Sequence, residues 1–259
     1  MTINEIIEYF SKIPNIYSDL AQPSVKKAGE ALETVFDYAG SLLLPLKLQS
    51  EKNKIIFSKR LDEFTKKVMN IPDNKICKIP PEIGIPIMEK FTFITDDDIA
   101  DLFTTLLAKA SSMDTINQAH PGFVQIIERL SGDEAIIIKY LNNNIGFIPF
   151  IDINGHISDS SFVKLVEKIT TLPLEVNMIF PKNINAYLSN FISMGIFDIP
   201  FGVHKTDDGI YNTILNRHNI TDYVNIYNNH NKYEKIDITK GYFNITDYGQ
   251  LFIKACNNK

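Results

Sequence analysis

The stretch AHPGFVQIIERLSGDEA, residues 119–135, places a histidine, a proline and two adjacent acids close together. Such a histidine could act as a general base, with the carboxylates orienting it. That chemistry also needs a nucleophile or an orienting carboxylate at a recognisable spacing, and none accompanies His120. Asp96, Asp97, Asp98 and Asp101 form a second cluster, of the residue type that seeds magnesium sites. Four acids crowded into one helical turn cannot all face one ion, and at a helix start they complement its dipole. His204, His218 and His230 lie 14 and 12 residues apart, without paired cysteines or an i, i+4 partner, whereas zinc ligands want tighter spacing. Gly195, Gly202, Gly209, Gly241 and Gly249 form neither GxGxxG nor GxxxxGK[ST], and GxSxG and HExxH are missing. These residues predict a non-catalytic protein with no metal and no small-molecule cofactor.

Helix punctuation accounts for the same side chains. Pro121 occupies a favoured first helical position, and Phe123, Ile126, Ile127 and Leu130 follow at i, i+3, i+4 and i+7. Ser131-Gly-Asp-Glu134 matches a capping box opening a second helix through Ile137 and Leu141. Thr95 is the expected N-cap of a helix that starts with Asp96, Asp97 and Asp98. Ile99, Leu102, Phe103, Leu106, Leu107 and Ala110 form its apolar face.

Further helices are expected upstream. A short one covers residues 3–11. A longer one starts near Pro23 with Leu32, Val35, Phe36, Ala39, Leu43 and Leu46 in helical period, and Pro45 should kink or end it. Residues 51–70 carry Phe57, Leu61, Phe64 and Val68 on one stripe. A helix behind the Pro80-Pro81 pair carries Ile87, Met88 and Phe91.

After Asn142-Asn143-Asn144 the character changes. GFIPFIDINGHI is apolar and rich in breakers and reads as a boundary or linker. Residues 161–171 predict a helix with Phe162, Leu165, Val166 and Ile169 inward. Residues 184–194 predict another, with Tyr187, Leu188, Phe191 and Ile192 inward and Gly195 as its C-cap. Residues 204–233, rich in Asn and His, predict a long, partly ordered connection. KIDITKGYFNIT predicts two short strands in a hairpin around Lys240-Gly241. Thr246 should cap a last helix with Tyr248, Leu251, Phe252 and Ala255 on one side. The expected architecture is mainly α. A helical bundle over 1–145 precedes a smaller α+β, winged-helix-like module over 146–259.

Composition narrows the function classes. The first 145 residues hold 16 Lys+Arg against 20 Asp+Glu, and the remainder 10 against 11, so neither half is a basic body built to grip phosphates unspecifically. Cys77 and Cys256 follow no ligand-like spacing and fit a reducing compartment. The first residues, MTINEIIEYF, carry no secretory pattern, and a cytoplasmic protein is expected.

Two surfaces could nevertheless bind. The apolar run with Phe36, Leu42, Leu43 and Leu44, followed by Lys47, could lie in a membrane interface, although core packing explains the residues more simply. Lys232, Lys235, Lys240 and Tyr242 interleave cations and aromatics on the predicted wing, a pattern that can stack bases and hold phosphates.

SDLAQPSVKKAGEALETVFD, the SLLLPLKL run and IPPEIGIPIMEKF resemble, in order, the bacterial abortive-infection alpha (Abi-alpha) family. DDDIADLFTTLLAKASS, AHPGFVQIIERLSGDEA and ITDYGQLFIKAC continue the likeness. The resemblance runs from about residue 17 to 256 and is weakest between 200 and 233. It implies a bacterial protein in a defence where the infected cell stops growing or dies, and it brings no catalytic residues. The expectation is an antiphage component acting through protein contacts, with a protein partner or a second copy of itself.

Overall fold

The computed structural model describes residues 23–39, 50–142, 146–228 and 233–257. The expected helix at 3–11, the kink at Pro45 and the Leu42–Leu44 run lie outside them. The chain divides into two units, residues 1–142 with 251–259, and residues 143–250.

The first unit is helical: α1 (Pro23–Ala39), α2 (Glu51–Val68), α3 (Pro81–Phe91), α4 (Asp97–Ala110), α5 (Gly122–Glu128) and α6 (Gly132–Leu141). Helix α4 is the central element, touching α2, α3, α5 and α6. Its buried residues extend around most of its circumference, including Thr104 and Thr105 as well as the predicted apolar face apart from Ile99, which is half-buried. Those threonine hydroxyls bond back to the carbonyls of Ala100 and Asp101, which lets them be buried. Phe57, Leu61, Phe64 and Val68 of α2 and Leu32, Val35 and Phe36 of α1 complete the core. A methyl added at Gly84 of α3 would lie 2.2 Å from Val35 Cγ2, so only glycine lets these helices come together.

The second unit holds a four-stranded antiparallel sheet in the order β2-β1-β4-β3. Its strands are β1 (Phe147–Ser158), β2 (Ser161–Ile169), β3 (Phe197–Asp198) and β4 (Lys235–Ile245). Between them run α7 (Leu172–Glu175), α8 (Ile184–Ser193), α9 (Asp208–Arg217) and α10 (Ile220–Asn228). Helix α11 (Asp247–Cys256) follows β4.

Four sequence expectations change here. GFIPFIDINGHI is not a linker but β1, the inner strand between β2 and β4. Residues 161–169 are β2, not a helix. The register against β1 slips between Ile153↔Val166 and Asn154↔Lys164, and again toward Ile151↔Ile169. Each extra residue resets which side chains face inward, so Leu165, Val166 and Ile169 all reach the core at a spacing that imitates a helix. Residues 235–245 form one continuous strand, so the hairpin that defined the wing does not form. Gly241 lies opposite Phe150, and a Cβ there would stand 2.4 Å from that ring, so the glycine serves close approach and not a turn. Finally, residues 208–228 are α9 and α10. Asp207 accepts from the Gly209 amide at 2.8 Å to start α9, and Asn219 at φ 51° breaks the path between the two helices. Tyr211, Ile214 and Ile220 pack with Ile151 and Ile153 on one face of the sheet.

Two caps follow the sequence closely. Gly195, at φ 72°, donates to Ile192 O, and Ile196 donates to Phe191 O, each at 2.9 Å, closing a Schellman motif on α8. Thr246 Oγ1 accepts from the Gly249 amide at 2.9 Å at the start of α11. Phe252 and Ala255 of α11 are buried as expected, whereas Tyr248 is exposed.

Candidate functional site

Ser131 and Glu134 make the full reciprocal capping box: Glu134 Oε2 accepts from the Ser131 amide at 2.7 Å. His120 Nδ1 accepts from the Gly122 amide at 3.0 Å, where α5 begins. The opening cluster is helix-start geometry. At α4 the cap shifts by one residue from the expected Thr95: Asp96 Oδ1 accepts from the amides of Asp98 and Ile99 at 2.9 and 3.0 Å.

The other three acids meet cations that sequence spacing did not pick out. Asp97 pairs with Lys59 at 2.7 Å and Arg60 at 2.8 Å, and Asp98 with Lys139 at 3.0 Å. Asp101 bridges Lys67 at 2.6 Å and Lys139 at 2.8 Å. Lys67 also donates to Thr104 and Thr105 hydroxyls at 2.8 and 2.6 Å. Arg60, 1% exposed, adds hydrogen bonds to Ile94 O and Thr95 O at 3.1 Å and to Glu63. Burial lowers the Lys67 pKa, and the carboxylate of Asp101 only partly restores it. Burial pushes the Asp101 carboxyl up, but hydrogen bonds from Lys139 and Lys67 outweigh it and hold the group below the usual range. An open groove of about 890 Å³ runs along these residues. Its charges are neutralised by one another, which suits a structural role.

A second set of polar residues sits on the sheet face opposite the α9 and α10 core. Asp152, Asn154 and His156 alternate along β1, at the strand period of two. Asn154 Nδ2 donates to Asp237 Oδ1 at 3.0 Å and to Thr239 Oγ1 at 2.6 Å across the β1–β4 ladder. His156 Nε2 lies 2.8 Å from Asp237 Oδ2. Desolvation opposes ionisation of Asp237, but the bonds from Asn154 and His156 prevail and lower its pKa. Asp152, 5% exposed, accepts from the Lys168 amide at 2.7 Å and pairs with Lys164 at 2.8 Å. The Asp152 bond leads the causes that raise the Lys164 pKa. Asn154 Oδ1 and Thr170 Oγ1 are buried without a partner among the described residues. No serine or cysteine among the described residues hydrogen-bonds His156, so the His–Asp pair is not linked to a nucleophile.

A cavity of about 630 Å³ borders Asp152 of this set, and its lining also includes Ile238, Lys240 and His204, which lie against α9 residues. Phe150 and Asp152 come from β1, Lys164 and Lys168 from β2, Gly241 from β4, and the loop over residues 199–204 forms the far wall. Sequence reading missed Asp152, Lys164 and Lys168, because a linker and a helix were expected where β1 and β2 pair. The usable signal was the Asp-x-Asn-x-His alternation at 152–156.

The remaining predicted site residues are dispersed. Lys240 pairs with Asp208 and lies 5.4 Å from the Tyr211 ring centroid. Tyr242 stacks edge-on with Phe147, with Lys205 Nζ 4.2 Å from its centroid. Lys235 is exposed on β4, opposite His156, and Lys232 lies outside the described residues. Phe36 is buried inside the helical unit, while Leu42, Leu43, Leu44 and Lys47 lie outside the description. Among the described residues no helix is long and apolar enough to cross a membrane. His218 bonds Thr170 O at 2.9 Å, His204 packs against Tyr211, and His230 is outside. Cys77 and Cys256 are both free thiols, and burial raises the pKa of each, that of Cys256 strongly.

A comparison with curated proteins gives no match. A solved structure, that of an uncharacterized protein from the hydrocarbon-degrading marine bacterium Alcanivorax borkumensis SK2, is 14% identical. The match covers 51% of this chain and 90% of that one, with a TM-score of 0.34, too low to carry an argument. The family model for Abortive infection alpha matches residues 50–256, from the start of the α2 region to the end of α11. With most of the sequence matched, the chain belongs to the abortive infection alpha family.

Proposed function

We propose that the chain is an antiphage component of abortive infection that works through protein–protein contact and not by catalysis. The loop between β3 and α9 carries the reading. Ile199, Phe201 and Val203 are large apolar residues exposed at 37%, 101% and 50% within five positions. Gly202 at φ 70° turns the chain between the last two. Scattered apolar residues on a surface need no explanation, but an alternating set on one loop around a fully exposed phenylalanine suits an anchor for a partner. The sequence clusters at His120 and at Asp97, Asp98 and Asp101 have structural partners, as helix-start hydrogen bonds and internal ion pairs.

The test is phage challenge of cells expressing the chain. Phe201→Ser, at the fully exposed tip of the loop, should abolish protection while the purified variant keeps its circular dichroism and melting temperature. His156→Ala and His120→Ala should retain protection. Loss of protection in a well-folded His156→Ala protein, with Phe201→Ser still protective, overturns the reading in favour of chemistry on the sheet face. Sedimentation of the purified chain distinguishes a second copy from a different partner.

A further inference from the structure

The cavity on the sheet has a built polar end and an apolar end. Asp152 organises the polar end. One of its oxygens takes the Lys168 backbone amide at 2.7 Å and the other the Lys164 amine at 2.8 Å, so a single buried carboxylate fixes the backbone of one lysine of β2 and the amine of the other. Lys168 is held at φ 53°, a left-handed conformation that a β-strand lysine adopts only under constraint. Its amine has no ion-pair partner among the described residues, while Lys164 is shared between Asp152 and Glu167. His204 adds an imidazole at the wall, with no hydrogen bond to its ring nitrogens among the described residues. The apolar lining is Ile199 and Val203 of the loop, with the Phe150 ring, which is only 6% exposed. At about 630 Å³ the space falls within the ~300–1,000 Å³ of small-molecule sites.

We infer that this cavity binds a small phosphate-bearing molecule with a planar ring, of mononucleotide size. Its phosphate would be held by the Lys168 amine, with Lys164 beside it, and its ring laid against Ile199 and Val203. A lysine amine is a strongly hydrated point charge suited to phosphate. Asp152 pairs with Lys164 and fixes only the backbone of Lys168, so the Lys168 amine is the cation left available. Lys168 lies in the register slip between Ile153↔Val166 and Ile151↔Ile169, and that bulge accounts for its left-handed backbone.

The inference does not rest on the protein-contact reading, and its test uses purified protein without phage. The probes are AMP, GMP, CMP and UMP in turn, with the parent nucleosides as comparators, followed by amide resonances and calorimetry. At least one nucleotide should shift the amides of Lys168, Asp152 and Gly241, with its nucleoside at least ten-fold weaker. Lys168→Gln should weaken binding at least ten-fold. Lys168→Gly should do the same while its melting temperature is no lower than the parent's, because glycine relieves the backbone; that variant separates lost binding from lost folding. Lys66→Gln in the helical unit should bind as the parent does. No binding of any of the four at millimolar concentration, nucleosides equal to nucleotides, or full affinity in the folded Lys168→Gly protein would each overturn the assignment.

Discussion

The helical unit and the sheet unit handle buried charge in opposite ways. In the helical unit each buried cation is over-supplied with acceptors: Lys67 faces a carboxylate, a carbonyl and two hydroxyls, and Arg60 faces two carboxylates and two carbonyls. In the sheet unit the ledger is incomplete. Asn154 Oδ1 and Thr170 Oγ1 lack partners, and Lys168 is strained with its amine unpaired, among the described residues. The one such buried atom among the described residues of the helical unit, Gln118 Oε1, lies outside the Lys67 and Arg60 networks. Saturated networks rigidify, whereas an open one leaves groups ready for something else. The difference teaches where to look for function: the cluster with the most charges is the less available one.

Four substitutions break or sharpen that contrast. Arg60→Ala should have the largest effect, about 3–5 kcal/mol in urea unfolding, because it empties a buried side-chain site and leaves the carbonyls of Ile94 and Thr95 without donors, while Asp97 stays solvated and paired with Lys59. A loss under 1 kcal/mol would mean that solvent already screens the cluster. Asp101→Ala should cost about 2–3 kcal/mol by removing a charged partner of the mostly buried Lys67. The related pH dependence has a definite sign. Asp101 is held below its ordinary 3.8 in the folded state, so its contribution is present above that value and lost as pH falls through the lower folded one. Asp101→Asn should flatten the acid limb of a stability–pH curve, and an unchanged limb would assign that limb elsewhere.

In the sheet unit, Gly241→Ala should cost about 1–3 kcal/mol, as its methyl drives into the buried Phe150 ring. Near-neutral behaviour would show that Phe150 can swing away, loosening the cavity wall. Ser131→Ala should be the smallest of the four, about 1 kcal/mol, through loss of one half of the capping box.

The helical unit was legible because its information is local. The i, i+3, i+4 stripes of α2 and α4, the S-x-x-E box at Ser131 and the Pro121 start need only neighbours within two turns to take effect. The cap shift from Thr95 to Asp96 is the usual one-residue uncertainty of such signals. The Schellman end at Gly195 and the Thr246 cap were readable for the same reason.

The sheet unit was largely illegible, since β1 is inner only because β4 lies beside it, some eighty residues along the chain. β2 imitated a helix through its register slips, and Lys240-Gly241 imitated a turn although Gly241 answers to Phe150 across the ladder. By itself the sequence determined the helices of the helical unit, and α8 and α11, with most of their caps, because these are set by contacts between near neighbours. It also carried the family resemblance. Only the tertiary structure decided that Asp152, Lys164 and Lys168 share one cavity and that Lys67 and Lys139 share Asp101, because charge pairing across elements has no period that a linear chain can display.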